Sequence, residues 1–105
     1  MNIMAVESSC DETAVSIVED GRKVLTDCIA SQVDLHRIYG GVVPEIASRK
    51  HIEAIYGLAD QALANANMTR KDIDAVAVTY APGLIGAVLV GVNFAKSLAS
   101  FFICV

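Results

Sequence analysis

The sequence predicts an α/β domain in which three strands lead into a helix, a fourth strand and a second helix. Two observations carry that prediction. Short Val/Ile-containing runs separated by polar turn formers fill the first third of the chain, and two longer segments with apolar residues at helical spacing follow, parted by a short alternating run. A chain of 105 residues, 54% hydrophobic and only 19% charged, with two prolines and no low-complexity run, also suits one ordered core better than a disordered chain.

Residues 3–7 and 14–19 read as two strands around the polar stretch Ser8-Ser9-Cys10-Asp11-Glu12-Thr13. Asp20-Gly21 is a pair that favours a type I′ hairpin, so Lys23–Ser31 continues as a third antiparallel strand. The pattern breaks over 32–43, where Gly40-Gly41 permits backbone angles other residues avoid, and this segment reads as a loop. Pro44 suits a first helical position. From there Ile52, Ile55, Tyr56, Ala59, Ala62, Leu63 and Ala66 recur at i, i+3, i+4, i+7 spacing and predict one buried face.

Thr69 and Asp72 resemble a capping pair, 75–80 alternates as a strand, and Ala81-Pro82-Gly83 ends it. The last helix is read over 86–101. Its polar residues Asn93, Lys96, Ser97 and Ser100 form one narrow stripe, so more than one side should be covered. Ala87, Gly91, Ala95 and Ala99 are four apart and make a shallow groove that lets another element approach closely. The order βββαβα, with helices on a mixed sheet, is the arrangement of a ribonuclease-H-like lobe. The closing run Phe101-Phe102-Ile103-Cys104-Val105 is apolar and strand-like, which points to a truncated domain.

Composition excludes several function classes. A net charge of −4 argues against a domain that grips nucleic acid unaided. The one basic neighbourhood, His36, Arg37, Arg49, Lys50 and His51 around Glu45, reads as a solvated helix start. Cys10, Cys28 and Cys104 form no C-x-x-C pair, so neither a disulfide framework nor a zinc knuckle is indicated, and a reducing cytoplasm fits. The N-terminus lacks a basic region and meets Glu7 and Asp11 too early for a signal peptide. Residues 75–95 are uncharged and long enough to span a bilayer, but Pro82-Gly83 cuts them in two, so no membrane segment is expected.

The loop from Ser8 to Thr13 could surround an anion with backbone N–H groups and hydroxyls. Asp11 and Glu12 would repel a bare phosphate, and make sense there only if a cation intervenes or if one accepts a reacting proton. An exposed loop held by Asx and Ser/Thr turns explains the same spacing equally well. Cys10 has no histidine placed locally to act as its base and reads as a small packed side chain. No H-E-x-x-H helix supports a zinc peptidase.

Four motifs occur in order: Glu7-Ser8-Ser9-Cys10-Asp11-Glu12-Thr13, His36-x-x-Tyr39-Gly40-Gly41-Val42-Val43-Pro44-Glu45, Ala47-Ser48-Arg49-x-His51 and Pro82-Gly83-Leu84-x-Gly86. Together they resemble the N-terminal part of the tRNA adenosine threonylcarbamoyltransferase family, formerly labelled O-sialoglycoprotein endopeptidase or glycoprotease. The resemblance implies the fold of the actin, Hsp70 and sugar-kinase superfamily, two lobes with nucleotide between them. Residues 1–105 would be a single, incomplete N-terminal lobe, with the second lobe absent. A sugar or acetate kinase of that superfamily is a distant alternative, since those usually lack the first two motifs together.

The implied reaction moves threonylcarbamoyl from its adenylate to the exocyclic amine of the adenosine next to the anticodon. Ser8, Ser9, Cys10, Asp11 and Thr13 would face the phosphates, with Asp11 and Glu12 as catalytic candidates and Glu12 accepting the proton. The full-length family uses ATP or threonylcarbamoyl-adenylate and an iron or zinc ion, held by a His-x-x-x-His helix and a late Asp. Those ligands are missing here, so no cofactor is expected on this chain, which should be inactive alone. His51 is read as a helix-surface residue and His36 as part of a structured loop, and Ala81 stands where the family usually has Gly.

In bacterial members the helices matching 44–67 and 86–101 pack against a related non-catalytic paralogue. That implies an interface through Ala87, Gly91, Ala95, Ile55 and Ala59, to such a paralogue or to a second copy in a homodimer. Engagement of tRNA would come only in the full complex, in the cytoplasm and without a membrane.

Overall fold

The computed structural model describes residues 1–102, and side chains up to residue 100. The rest of the closing apolar run, 103–105, lies outside the described residues. Strands β1 (Asn2–Glu7), β2 (Glu12–Glu19) and β3 (Lys23–Ser31) are followed by α1 (Val33–Arg37), α2 (Pro44–Asn65), a 3₁₀ turn at Arg70–Asp72, β4 (Ala75–Val78) and α3 (Ile85–Phe102). The sheet runs β3-β2-β1-β4. Its first three strands are antiparallel neighbours, and β4 lies parallel to β1, pairing Ile3 with Ala75 and Val6 with Val78.

Alternation on the strands selects the buried face. Met4 and Val6 from β1, Val15 and Ile17 from β2 and Cys28 from β3 meet Ile55, Leu58, Ala59, Ala62 and Leu63 from α2 and Leu98 from α3. Helix α2 packs over β2 and β3, while α3 lies over β1 and β4 and touches α2. Both long helices therefore cover one face of the sheet.

The hairpin forms as its residues dictate. Asp20 and Gly21 both take positive φ, 54° and 70°, and the Arg22 N–H donates to the Glu19 carbonyl at 3.1 Å. Past α2, Asn67 adopts φ 54° and the Met68 N–H reaches back to the Leu63 carbonyl at 2.9 Å, which closes the helix in a Schellman motif. The Thr69–Asp72 pair caps as read, with the Asp72 carboxylate accepting the Thr69 N–H at 2.8 Å.

Three expectations change. The segment 32–43 contains the short helix α1, because His36 is buried there and organises the backbone around itself. Strand β4 stops at Val78, two residues short of the reading, and just beyond it the Thr79 hydroxyl bonds Glu7. On α2, Ile52 and Tyr56 are 63% and 56% exposed, and the buried stripe runs through Ala47, His51, Ile55, Leu58, Ala59, Ala62 and Leu63 instead. The sheet beneath is narrow, so the helix can bury only the residues directly above it.

Candidate active site

Parallel β1 and β4 end side by side, at Glu7 and Val78, and the segments 8–11 and 79–84 leave the sheet from the same edge. Crevices beyond the carboxyl ends of adjacent parallel strands are where open α/β sheets bind ligands. Here the two segments are bound to one another. The Glu7 carboxylate accepts the Thr79 hydroxyl at 2.7 Å and the Ser9 backbone N–H, and the Leu84 N–H donates to the Ser9 carbonyl at 2.8 Å. Burial pushes the Glu7 carboxyl up, but hydrogen bonds from Ser9 and Thr79 outweigh it and hold the group below its ordinary value. A Cβ at Gly83 would lie 2.7 Å from a Val88 methyl and 2.8 Å from Ser9, so only glycine lets this turn close against the loop.

Ser8 does not face outward, contrary to the expectation that it lines a phosphate site. Its side chain is buried, with the hydroxyl donating to the Ala87 carbonyl at 2.7 Å and accepting the Gly91 N–H at 3.0 Å. The hydroxyl thus sits in the hydrogen-bond ladder of α3, and β1 is pinned there. Thr13 is buried as well, its hydroxyl 2.6 Å from His51 Nδ1. What remains toward solvent is half-buried Ser9 and Asp11 with exposed Cys10 and Glu12. Cys10 is therefore not the packed side chain its sequence context suggests, because the turn projects it off the end of the sheet.

His51 is fully buried, not a helix-surface residue. It falls on the stripe Ala47, His51, Ile55, Leu58, whose spacing of four, four and three was the signal for its burial. Its Nε2 lies 2.9 Å from the Cys10 carbonyl. His36 is likewise buried, donating from Nε2 to Gln32 Oε1 at 2.7 Å and accepting the Val43 N–H at Nδ1 at 3.2 Å. Gln32 in turn donates to the Ala47 carbonyl at 3.3 Å, which ties 32–43 to the start of α2. Of the basic neighbourhood only the cations are solvated. Arg37, Arg49 and Lys50 pair with Asp34, Glu45 and Glu53 within one turn.

Among the described residues no three His, Cys, Asp or Glu side chains gather to hold a metal ion. Both ring nitrogens of His36 and of His51 are already engaged in hydrogen bonds. These residues do not fit the family's iron or zinc site, and no step below passes through a metal. Ala87, Gly91 and Ala95 are buried within the chain, and Ile55 and Ala59 lie in its core. The small-residue groove is filled within the chain and is not an open partner surface, because Gly91 lies where Ser8 and Val78 approach α3.

The family described as tRNA N6-adenosine threonylcarbamoyltransferase matches residues 23–102. The chain belongs to this family. The threonylcarbamoyltransferase of Clostridium novyi is 63% identical over 99 residues, covering 94% of this chain and 29% of its own length. That of Carboxydothermus hydrogenoformans is 64% identical over 97 residues, 92% of this chain and 28% of its own. The chain thus spans under a third of the threonylcarbamoyltransferases it matches. In fold it is similar to YeaZ from Pseudomonas aeruginosa, with a TM-score of 0.67 at 19% identity over 94% of this chain and 38% of that one. The architecture shared with that structure is an α/β lobe, a mixed four-stranded sheet with helices packed on it. No helix among the described residues is long and apolar enough to cross a membrane.

Glu7 and Thr79 were not singled out from the sequence as partners, nor Gln32 as an anchor. Glu7 opens the first motif, and a carboxylate closing a strand beside turn-forming serines was the available signal for it.

Proposed function

We propose that this chain is the N-terminal part of a cytoplasmic enzyme that transfers threonylcarbamoyl from its adenylate to the exocyclic amine of the adenosine next to the anticodon. The observation that carries this reading is the turn between β1 and β2. Ser8 and Thr13 anchor it inward, and Asp11 and Glu12 are left at the sheet end where parallel β1 and β4 terminate. Phosphate contact then falls to the Ser9 hydroxyl and the backbone N–H groups of Cys10 and Asp11, not to the hydroxyls of Ser8 and Thr13.

The amine nitrogen attacks the carbamoyl carbon, the bond from that carbon to the adenylate phosphate oxygen breaks, and AMP departs. An aromatic amine is a weak nucleophile until its proton has an acceptor, and Glu12, exposed at the start of β2, is the group we assign to it. Asp11, half-buried beside it, orients the turn's outer edge. The chain spans under a third of the length of its relatives, and the transfer is assigned to the whole enzyme.

The test is Glu12→Gln in an enzyme made by joining this chain to the remaining residues of the Clostridium novyi relative. Loss of a positioned proton acceptor should lower the transfer rate by about 10²- to 10⁴-fold with the fold intact. A wild-type rate in this variant sinks the assignment.

A second reading, an interaction module, is favoured by one observation. Exposed Ile52 and Leu89 flank an open depression of about 320 Å³ between α2 and α3, which Ile55, Gly86, Val90 and Asn93 also line. This outer face, and not the buried small-residue stripe, would receive the helices of a related lobe, either a non-catalytic paralogue or a second copy.

A further inference from the structure

Cys10 and Thr13 flank Asp11 and Glu12, and one buried side chain holds both. His51 reaches them from α2, 41 residues from Cys10 and 38 from Thr13. A carbonyl oxygen can only accept, so Nε2 donates its proton to the Cys10 carbonyl at 2.9 Å. In the neutral ring, Nδ1 is then left to accept the Thr13 hydroxyl at 2.6 Å, which fixes both the tautomer and the hydroxyl rotor. An aliphatic residue would fill the same place between Ala47 and Ile55 at lower desolvation cost. Only an imidazole offers a donor and an acceptor on opposite sides of a rigid ring, spaced to span this turn.

The far side of the turn is fixed independently. The Asp11 carbonyl accepts the Gln32 N–H at 2.8 Å, and Glu12 pairs with Ser31 in the sheet. Between these holds, the backbone that carries the two carboxylates has little freedom left.

We infer that His51, acting through Thr13 and the Cys10 carbonyl, is a positioning residue that sets the presentation of Glu12 to the reacting amine. This rests on the reading of Glu12 as proton acceptor. A role confined to stability would change the amount of folded enzyme, whereas positioning changes kcat per folded molecule and is lost when Glu12 can no longer act.

The experiment uses the same completed enzyme. Thr13→Val keeps the side-chain shape and removes the hydroxyl. It should lower kcat by about 10- to 10²-fold, since small misplacements of a reacting group cost that much, with KM for tRNA little changed. Thr13→Ser should restore most of the loss. In a Glu12→Gln background Thr13→Val should cost nothing further, because both changes remove the same contribution. In the 105-residue chain, the ¹⁵N resonance of His51 Nδ1 should shift in Thr13→Val and return in Thr13→Ser. Wild-type kcat for Thr13→Val, failure of serine to rescue, an unmoved Nδ1 resonance, or losses that multiply in the double variant would each overturn the inference. If Glu12→Gln is inactive and Thr13→Val is not, the fault lies with the positioning role. A Glu12→Gln enzyme at full rate removes the functional reading, and the inference with it.

Discussion

At Gly91 a side chain has nowhere to go. A Cβ there would lie 2.5 Å from the Ser8 hydroxyl that bridges the Ala87 carbonyl and the Gly91 N–H. Gly91→Ala should therefore destabilise the fold by about 1–3 kcal/mol, the usual range for an overpacked core. Adding Ser8→Ala should recover part of that loss, because the clash is with the hydroxyl and the helix can then close its own bond from Gly91 to Ala87. Denaturant melts of the two single variants and the double variant measure it, and strict additivity would contradict the shared contact. Glu7 makes a prediction with a sign. Its carboxyl is held below the ordinary glutamate value, so its contribution to stability is fully present above that value and is lost as the pH falls through the lower, folded-state value. Melting temperature should drop less steeply on acidification in Glu7→Gln than in the parent, as a pH series would show.

The elements owe their ends to a few residues. Helix α2 stops because Asn67 takes φ 54°, a left-handed conformation that asparagine tolerates and β-carbon-bearing residues in general resist. Asn67→Gly should be neutral or stabilising and Asn67→Ala should cost about 1 kcal/mol, a difference that thermal unfolding of the two variants resolves. Strands and helix starts were legible because their signals are local: the Asp20-Gly21 turn, Pro44 at a helix start, and alternation in β1 and β2. The buried face of α2 was less so. Apolarity drew the stripe through Ile52 and Tyr56, which are exposed, and passed over His51, which is buried. A histidine looks polar in a sequence, and whether it is inside depends on whether partners wait for both of its nitrogens.

Across the whole molecule, both long helices lie on one face of the sheet and leave apolar side chains on their outer surface. Leu89 and Ile52, 49% and 63% exposed, stand on either side of the depression between α2 and α3. If a related lobe docks there, Leu89→Glu should weaken self-association or capture of a paralogue without lowering the melting temperature of the chain itself. Sedimentation at several concentrations would show it, and a monomer indifferent to the change would remove the interaction reading.

The sequence by itself determined the order of the strands and the two long helices, the hairpin, the Thr69–Asp72 cap and the family, because each depends on residues within a few positions of one another or on motifs read in register. Only the tertiary structure decided that Ser8 and Thr13 turn inward while Asp11 and Glu12 stay outside, that His51 spans their turn, and that the small residues of α3 receive this chain's own strand. Those assignments rest on contacts between residues 38 to 83 positions apart, and no local preference of the backbone encodes which distant group a hydroxyl or an imidazole will meet.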